Sequence, residues 1–393
     1  MILTNKQEQG LHIAIDRYNH NEAWTCIAGY AGTGKSTLVK FIVSALNIDP
    51  IDVCYIAFTG KASLVLREKG CSNAMTAHKL LYKSFPKKDG TFTHIPKYPL
   101  DWPYKLIVVD EISMLPKEIW ELLLSHHIHV IALGDPGQLP PVGESNGVLD
   151  HPHIFLDEIM RQAQESEIIR LTMDIREGKP LIPFKGNEVQ VITQDELVEG
   201  MFTWPDQVIA GKNDTRRKIN TMIRSYLNLG DISPKDGDKV ICLKNDWDCV
   251  SPCGDVLVNG TIGQVYNIKH KTGVPFINNA LIVDFLSDEW TMEDVEVSPQ
   301  DLFFRGLNID EKMITTGEPL INSSNWRRFP KAIQPKLFDY GYCITCHKSQ
   351  GSEYNKVLVL EEFLRGSEHK KWLYTAATRA KEKLVIVKDY KNA

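Results

Sequence analysis

The chain has 393 residues, more than one hydrophobic core usually serves, so two or more domains are expected. Its 43% apolar and 24% charged residues are ordinary for a soluble globular protein; no apolar run approaches the roughly 18 residues of a membrane helix, and no basic segment leads into an apolar one at the N-terminus, which points to a cytosolic protein without membrane contact. The net charge of −5 counts mildly against a nucleic-acid partner, although local charge decides that question better than the sum.

In chain order, Trp24–Ala28 reads as a strand, followed by a glycine-rich loop and a helix over Lys35–Leu46. Val53–Phe58, Leu106–Val109 and Val130–Leu133 are further short apolar runs with the character of buried strands. Strands alternating with helices predict a parallel sheet covered by helices, with ligands at the C-terminal ends of its strands. Lys83–Tyr104 interrupts the alternation with four prolines, an Asp89-Gly90 turn signal, Phe85 and Phe92, and predicts a small β-hairpin. Val208–Ala210, Leu358–Leu360 and Leu384–Val387 read as strands of a second α/β unit. Between them, from Gly237 to about Phe329, β-branched runs at Lys239–Leu243, Val256–Val258, Gly263–Ile268 and Leu281–Phe285 predict an inserted small β domain, barrel-like in kind.

Charge is segregated along the chain. Residues 61–105 hold nine Lys or Arg and three acids, whereas 284–312 hold nine acids and two bases. The basic strip can follow a phosphate backbone or be a solvated lysine face, and charge alone leaves both open. The eight cysteines are scattered and expected to be reduced and mostly buried. Cys343-Ile-Thr-Cys346-His347 matches the c-type haem attachment pattern, and Cys249 and Cys253 are spaced like half a zinc site. Neither has the supporting features it would need. His126, His127 and His129 read as strand-end residues.

Gly29-Tyr-Ala-Gly32-Thr33-Gly34-Lys35-Ser36 fits the phosphate-binding loop pattern between a strand and a helix. Its glycines allow backbone N–H groups to surround phosphates, and the helix N-terminus adds positive partial charge. Lys35 is expected at the β- and γ-phosphates of ATP and Ser36 on Mg²⁺. Leu106-Ile-Val-Val-Asp110-Glu111 is an apolar strand ending in two acids, Asp110 for the metal and Glu111 to orient and deprotonate the attacking water. Gly134-Asp135-Pro-Gly-Gln138 follows another strand, and Gln138 can report the γ-phosphate. Arg161 and Arg379 are candidates to stabilise charge on the transferring phosphoryl group.

With these motifs in this order the chain resembles superfamily 1 helicases of the RecD-like, 5′-to-3′ branch, over nearly its whole length. Leu3–Gln7 is similar to that family's Q motif, Gly29–Thr37 to motif I, Phe58–Ala62 to motif Ia and Thr76–His78 to motif Ib. Asp110–Met114 is similar to motif II and Gly134–Pro141 to motif III. Met160-Arg161-Gln162 with Ser166 and Ile175–Gly178 resembles the motif IV region, Thr345–Glu353 motif V and Tyr374–Ala380 motif VI. The resemblance implies an α/β fold of two RecA-like P-loop domains with parallel sheets, residues 1–82 with 105–155 and 156–236 with 330–393. It also implies a pin at the 83–104 hairpin and an SH3-like domain at 237–329. It implies that Gln7 reads adenine, that Gly29, Gly32, Thr33, Gly34, Lys35, Ser36 and Thr37 hold the phosphates, and that Gly351 and Glu353 lie at the nucleotide, Glu353 on the ribose. Gln138, Arg161 and Arg379 face the γ-phosphate. Thr59, Lys61, His78, Phe85, Thr345, His347 and Lys348 are implied DNA contacts, which absorbs the haem-like pattern into motif V. ATP and Mg²⁺ are the implied cofactors; single-stranded DNA and its junctions with duplex are the implied partners, with replication or recombination proteins beside them and a monomer as the working form. An RNA or RNA–DNA helicase of the same branch and a nucleotide-switched DNA-binding recruitment module with little unwinding are the rival readings. The acidic stretch 284–312 matches no family motif.

Overall fold

The computed structural model describes all residues except 1–2, 59, 87–91, 141–144, 161–163, 231–233, 244–245, 251–255, 258–259, 272–279, 288–290, 300–337, 364–367 and 392–393. The chain opens with α1 (Asn5–Asn19), β1 (Trp24–Gly29), α2 (Lys35–Ala45), β2 (Val53–Ala57), α3 (Gly60–Glu68), β3 (Ala74–Thr76) and α4 (Ala77–Leu81). A two-stranded ribbon of β4 (Tyr82–Pro86) and β5 (Phe92–Pro96) follows, then β6 (Leu106–Val109), α5 (Lys117–Leu124), β7 (His129–Gly134) and β8 (Ile154–Leu156). Next come α6 (Glu167–Glu177), β9 (Phe184–Lys185), β10 (Val189–Ile192), β11 (Gln207–Ala210) and α7 (Asn213–Tyr226). A β-rich stretch holds β12 (Lys239–Cys242), β13 (Asp246–Val250), β14 (Val256–Leu257), β15 (Ile262–Lys271), β16 (Ala280–Ser287) and β17 (Thr291–Pro299). The chain ends with β18 (Phe338–Tyr340), β19 (Cys343–Thr345), α8 (Cys346–Ser349), β20 (Tyr354–Leu360), α9 (Glu368–Ala377) and β21 (Ala380–Val387).

Packing divides the chain into two compact units, Met1–Tyr82 with Pro96–Leu197 and Ser349–Ala393, and Lys83–Ile95 with Val198–Lys348. In this division Ser349–Ala393 falls in the same unit as the P-loop sheet.

In the first unit, β3-β2-β6-β7-β1-β8 form one parallel sheet. Strand β6 shows why its sequence is apolar throughout. Side chains alternate across a sheet, and both faces here are covered. Leu106 and Val108 join Ile27, Ile131 and Leu133 against Ala14 of α1 and Leu38 and Ile42 of α2. Ile107 and Val109 join Cys26, Cys54 and Val130 against Leu80 and Leu81 of α4 and Trp120 and Leu123 of α5. Helix α1 starts with a capping box in which Gln7 N–H donates to Thr4 Oγ1 at 3.3 Å and Thr4 N–H to Gln7 Oε1 at 3.0 Å. The same unit holds a second set of strands in the order β20-β21-β10-β9, parallel except for β9.

In the second unit, β17-β16-β15-β12-β18 form an antiparallel sheet over a core of Val240, Cys242, Val265, Val283, Phe285, Phe338 and Tyr340. Strand β11 pairs in parallel with β19. The Asn220 side chain on α7 exchanges hydrogen bonds with the Cys343 backbone at 2.9 and 2.8 Å, fixing α7 on β19. Arg224 forks onto Asp238 with two bonds of 3.1 Å, and its guanidinium lies 4.0 Å over the Tyr340 ring. Both charges are fully buried, so removing one partner would cost more than the pair contributes. The acidic stretch begins in β16 and takes in β17; residues 288–290 and those from 300 on lie outside the described residues.

Candidate functional site

The P-loop joins β1 to α2, so its backbone N–H groups and the first turn of α2 face one point. Gly34 has φ +79°, and a Cβ there would press on Gln7 Nε2 and Met160 Sδ, each at 2.5 Å. Gly29 is as constrained, with Thr33 Oγ1 2.7 Å and the Leu156 carbonyl 2.9 Å from any added Cβ. Gly32 also lies at positive φ. Lys35 Nζ donates to the Gly29 and Tyr30 carbonyls at 2.7 and 3.1 Å, which holds its ammonium at the loop. Ser36 and Thr37 occupy the first turn of α2. Gln7 is buried, and its Nε2 donates to the Thr33 carbonyl at 3.1 Å. One N–H and one oxygen lone pair of that amide are left for another partner. Tyr30 is covered by the Arg176 guanidinium 3.8 Å above its ring.

Asp110 and Glu111 end β6 on the same side of the sheet as the loop. Burial, and then the neighbouring Glu111, push the Asp110 carboxyl up to about 6, against the pull of Lys35 and Lys69. Glu111 sits at φ +52°, a left-handed conformation that costs a non-glycine residue on the order of 1–2 kcal/mol. A cavity of about 230 Å³ is lined by Ser36, Thr37, Lys69 and Asp110 among others. A serine hydroxyl and a carboxylate on one cavity are hard oxygen donors that fit Mg²⁺, which takes one or two protein ligands and completes its shell with water and phosphate oxygens.

Two groups converge on Glu111. Gln138 Nε2 lies 3.4 Å and Arg379 Nη1 3.8 Å from its Oε1, and Gln138 Oε1 is buried with no hydrogen-bond partner among the described residues. Arg379 is itself anchored, donating to the Thr375 carbonyl (3.1 Å), the Ser352 carbonyl (3.3 Å) and Thr378 Oγ1 (3.0 Å). The loop bearing Gln138 is fastened to α9, for Leu139 N–H donates to Thr375 Oγ1 at 2.8 Å, and the Leu139 carbonyl accepts from Gln350 Nε2 at 3.0 Å. Gly351, at φ +71°, follows Gln350. Glu353 is met by two lysines, Lys69 Nζ at 3.0 and 3.2 Å and Lys381 Nζ at 3.5 Å. Burial alone would raise its carboxyl, but these cations hold it below the usual range.

The expected DNA contacts are spread over both units. Arg161 and Thr59 lie outside the described residues. Lys61 falls on α3, where its side chain is not described. His78 on α4 stacks on Tyr82 at 5.7 Å and faces Phe58 at 6.4 Å. In the second unit, exposed Phe85 on the ribbon has Lys83 Nζ 5.3 Å over its ring. Thr345 ends β19, and exposed His347 and half-buried Lys348 follow on α8. Cys343 and Cys346 are fully buried, so the haem reading has no exposed thiols to attach to. His129 opens β7 and is bonded to Thr25 and the Glu22 carbonyl, as a strand-end residue. Sequence reasoning does not single out Tyr374, Thr375, Asp135 or Lys69, all of which touch the site. The first three are polar residues inside motifs whose other members carry the recognisable chemistry.

Two family models match the chain, the AAA domain over residues 5–200 and the UvrD-like helicase C-terminal domain over residues 340–387. The ATP-dependent RecD2 DNA helicase of Deinococcus radiodurans is 26% identical over 386 residues, covering 91% of this chain and 46% of that protein. This chain therefore spans less than half the length of that relative. The ATP-dependent DNA helicase dda of phage T4 is 26% identical over 317 residues, 74% of this chain and 68% of that protein. A structure of two Pif1 helicases at forked double-stranded DNA matches 100% of this chain and 93% of its own with a TM-score of 0.53 at 18% identity. Bacteroides Pif1 bound to single-stranded DNA gives 0.52 at 16% identity, with the same coverage. At these identities the two structures establish the fold.

Proposed function

We propose that this chain is a member of the RecD-like branch of the superfamily 1 helicases, an ATP-driven motor that moves 5′-to-3′ along single-stranded DNA and opens duplex ahead of it. The observation that carries the proposal is the convergence of Gln138 and Arg379 on Glu111, beside the P-loop and Asp110. A nucleotide-binding protein without turnover has no use for a strained carboxylate flanked by an amide and a guanidinium.

The proposed chemistry follows from that cluster. Backbone N–H groups of residues 29–37 and the Lys35 ammonium bind the phosphates, and Gln7 reads adenine. Mg²⁺, held by Ser36 and Asp110, would draw off charge from the β- and γ-phosphates. Glu111 takes the proton of the attacking water, and Arg379 and Arg161 stabilise charge on the phosphoryl oxygens. Gln138 touches the γ-phosphate and the base at once, and so reports its loss.

We propose the lobes as 1–82 with 105–155 and 156–236 with 330–393, the hairpin at 83–104 as the strand-splitting pin and 237–329 as an SH3-like module. Closure of the lobes on ATP and their opening after hydrolysis would move the strand held by Thr59, Lys61, His78, Thr345, His347 and Lys348. Phe85 on the ribbon offers a ring on which a base can stack. Opening a base-pair step costs about 1.4 kcal/mol on average, well within one ATP. The protein would act as a monomer in the cytosol beside replication or recombination proteins.

The discriminating measurement is unwinding of duplexes carrying a single tail. A 5′ tail should support ATP-dependent unwinding and a 3′ tail should not, with ATPase rising about tenfold or more on single-stranded DNA. Preference for the 3′ tail would overturn the polarity, and an ATPase indifferent to DNA would overturn the motor.

Lys348 provides a pH test of the strand contacts. Burial, with Arg216 adding and Cys242 and Asp339 opposing, brings its ammonium down to about 8. The cation is thus largely present at pH 7 and lost as pH rises through 8, whereas a phosphate contact needs it present. Between pH 7.5 and 9.5, affinity for single-stranded DNA should fall about three- to tenfold more than in Lys348→Arg, whose guanidinium does not titrate there. Parallel pH profiles would remove Lys348 from the strand contacts.

A further inference from the structure

The Tyr374 hydroxyl on α9 lies buried between two segments far from it in sequence. It accepts from the Ala31 N–H of the P-loop at 2.9 Å and donates to Asp135 Oδ2 at 2.7 Å. Asp135 Oδ1 takes the Gly137 N–H at 2.8 Å, which shapes the turn that presents Gln138. The ring packs on Gly137, where an added Cβ would meet it at 3.0 Å. Burial, and then Asp135, push the Tyr374 hydroxyl well above its ordinary range, so it keeps its proton. With its one proton committed to Asp135, its lone pairs are left for the loop.

We infer that Tyr374 is a positioning residue that couples the P-loop to the Gln138 loop, so that the state of the γ-phosphate is passed to α9. The inference rests on the proposed ATPase motor and adds the part that links its chemistry to movement. The next residue, Thr375, holds Leu139 N–H, and Arg379 beyond the end of the same helix reaches Glu111. One rigid helix thus carries contacts to the phosphate loop, the sensor loop and the base. A hydroxyl shared by two loops tolerates little separation, because a shift of about an ångström breaks one of its bonds. When Gln138 loses its phosphate contact and its loop relaxes, the change reaches α9 through Asp135 and Tyr374. A tyrosine that only filled space would need no such pair of directed bonds, and phenylalanine would serve as well.

The test is Tyr374→Phe, which keeps the ring and removes both bonds. Its kcat should fall about ten- to a hundredfold while the KM for ATP stays within about twofold. The second readout is affinity for a labelled oligothymidylate with a non-hydrolysable ATP analogue and with ADP. In the parent the two affinities differ; in Tyr374→Phe their ratio should collapse towards one. Asp135→Asn should shift both readouts in the same direction, and the double variant should be no worse than Tyr374→Phe, as for two members of one linkage. Should Tyr374→Phe fold poorly, Asp135→Asn decides the question by the same two readouts. A parental kcat and nucleotide ratio in the single variants, or additive losses in the double, would overturn the coupling. A parent protein unaffected by DNA would instead sink the motor reading and, with it, this role for Tyr374.

Discussion

Glu111→Gln is expected to bind MgATP and single-stranded DNA as the parent does, yet to hydrolyse ATP about 100- to 1,000-fold more slowly. The substitution keeps the volume and an oxygen at Oε1, so the approaches of Gln138 at 3.4 Å and Arg379 at 3.8 Å survive. What disappears is the proton acceptor. Loss of the charge also relieves Asp110, whose carboxyl is raised partly by Glu111, so metal binding should not weaken. A drop in kcat with an unchanged KM, measured alongside single-turnover hydrolysis, is the signature of a group used in the transition state. A kcat within about threefold of the parent would remove Glu111 as the base. The backbone makes a companion prediction of opposite sign. At φ +52°, Glu111→Gly should release about 1–2 kcal/mol of strain against about 0.5–1 kcal/mol of added chain entropy, leaving thermal stability equal or slightly higher while activity is lost. Strain retained at a residue that the proposed chemistry needs is what a catalytic position looks like in stability terms.

The sheets are legible where both faces are buried. Leu106–Val109 can only be a central strand, and the structure assigns the same four residues to β6. Strands whose first half is largely polar read short in the sequence. Leu384–Val387 extends back to Ala380, and Leu358–Leu360 back to Tyr354, because pairing between β20 and β21 continues past the apolar run into exposed Lys and Glu positions. The three-residue strands β3 and β8 leave no signal, as edge strands carry too few residues for a period to register. At the site, Lys35, Ser36, Asp110, Glu111 and Gln138 are legible because local spacing alone brings them to adjoining strand ends. The Arg379 approach to Glu111 is reachable only by resemblance, since no local rule joins residues 268 positions apart. Tyr374, Asp135 and Lys69 are not legible at all. A buried hydroxyl with two partners, or a lysine on Glu353, is a product of tertiary packing and leaves no periodic trace.

That long-range pair supports the second large effect. Replacing Arg379 is expected to lower kcat about 1,000-fold, in the range of an arginine that meets the transferring phosphoryl group, while ATP affinity changes far less. Two consequences must be separated, since Arg379 is only 4% exposed and also caps its surroundings. It satisfies the carbonyls of Thr375 and Ser352, and alanine would remove the donor from both. Each lost charge-assisted bond costs on the order of 1.5–3 kcal/mol, enough to lower the melting temperature by several degrees. Lysine distinguishes the two effects. Its ammonium can still bond one carbonyl and keeps the charge, but it has no planar fork to hold Thr375, Ser352 and Thr378 while presenting another N–H to phosphate. Arg379→Lys should therefore recover most of the stability and little of the turnover, remaining at least about 100-fold below the parent. The stability comes from thermal melts without nucleotide and the turnover from single-turnover hydrolysis on single-stranded DNA. If lysine restored both together, Arg379 would be a structural anchor for the end of α9, and the charge at the phosphoryl group would have to be met by Lys35, the metal and Arg161.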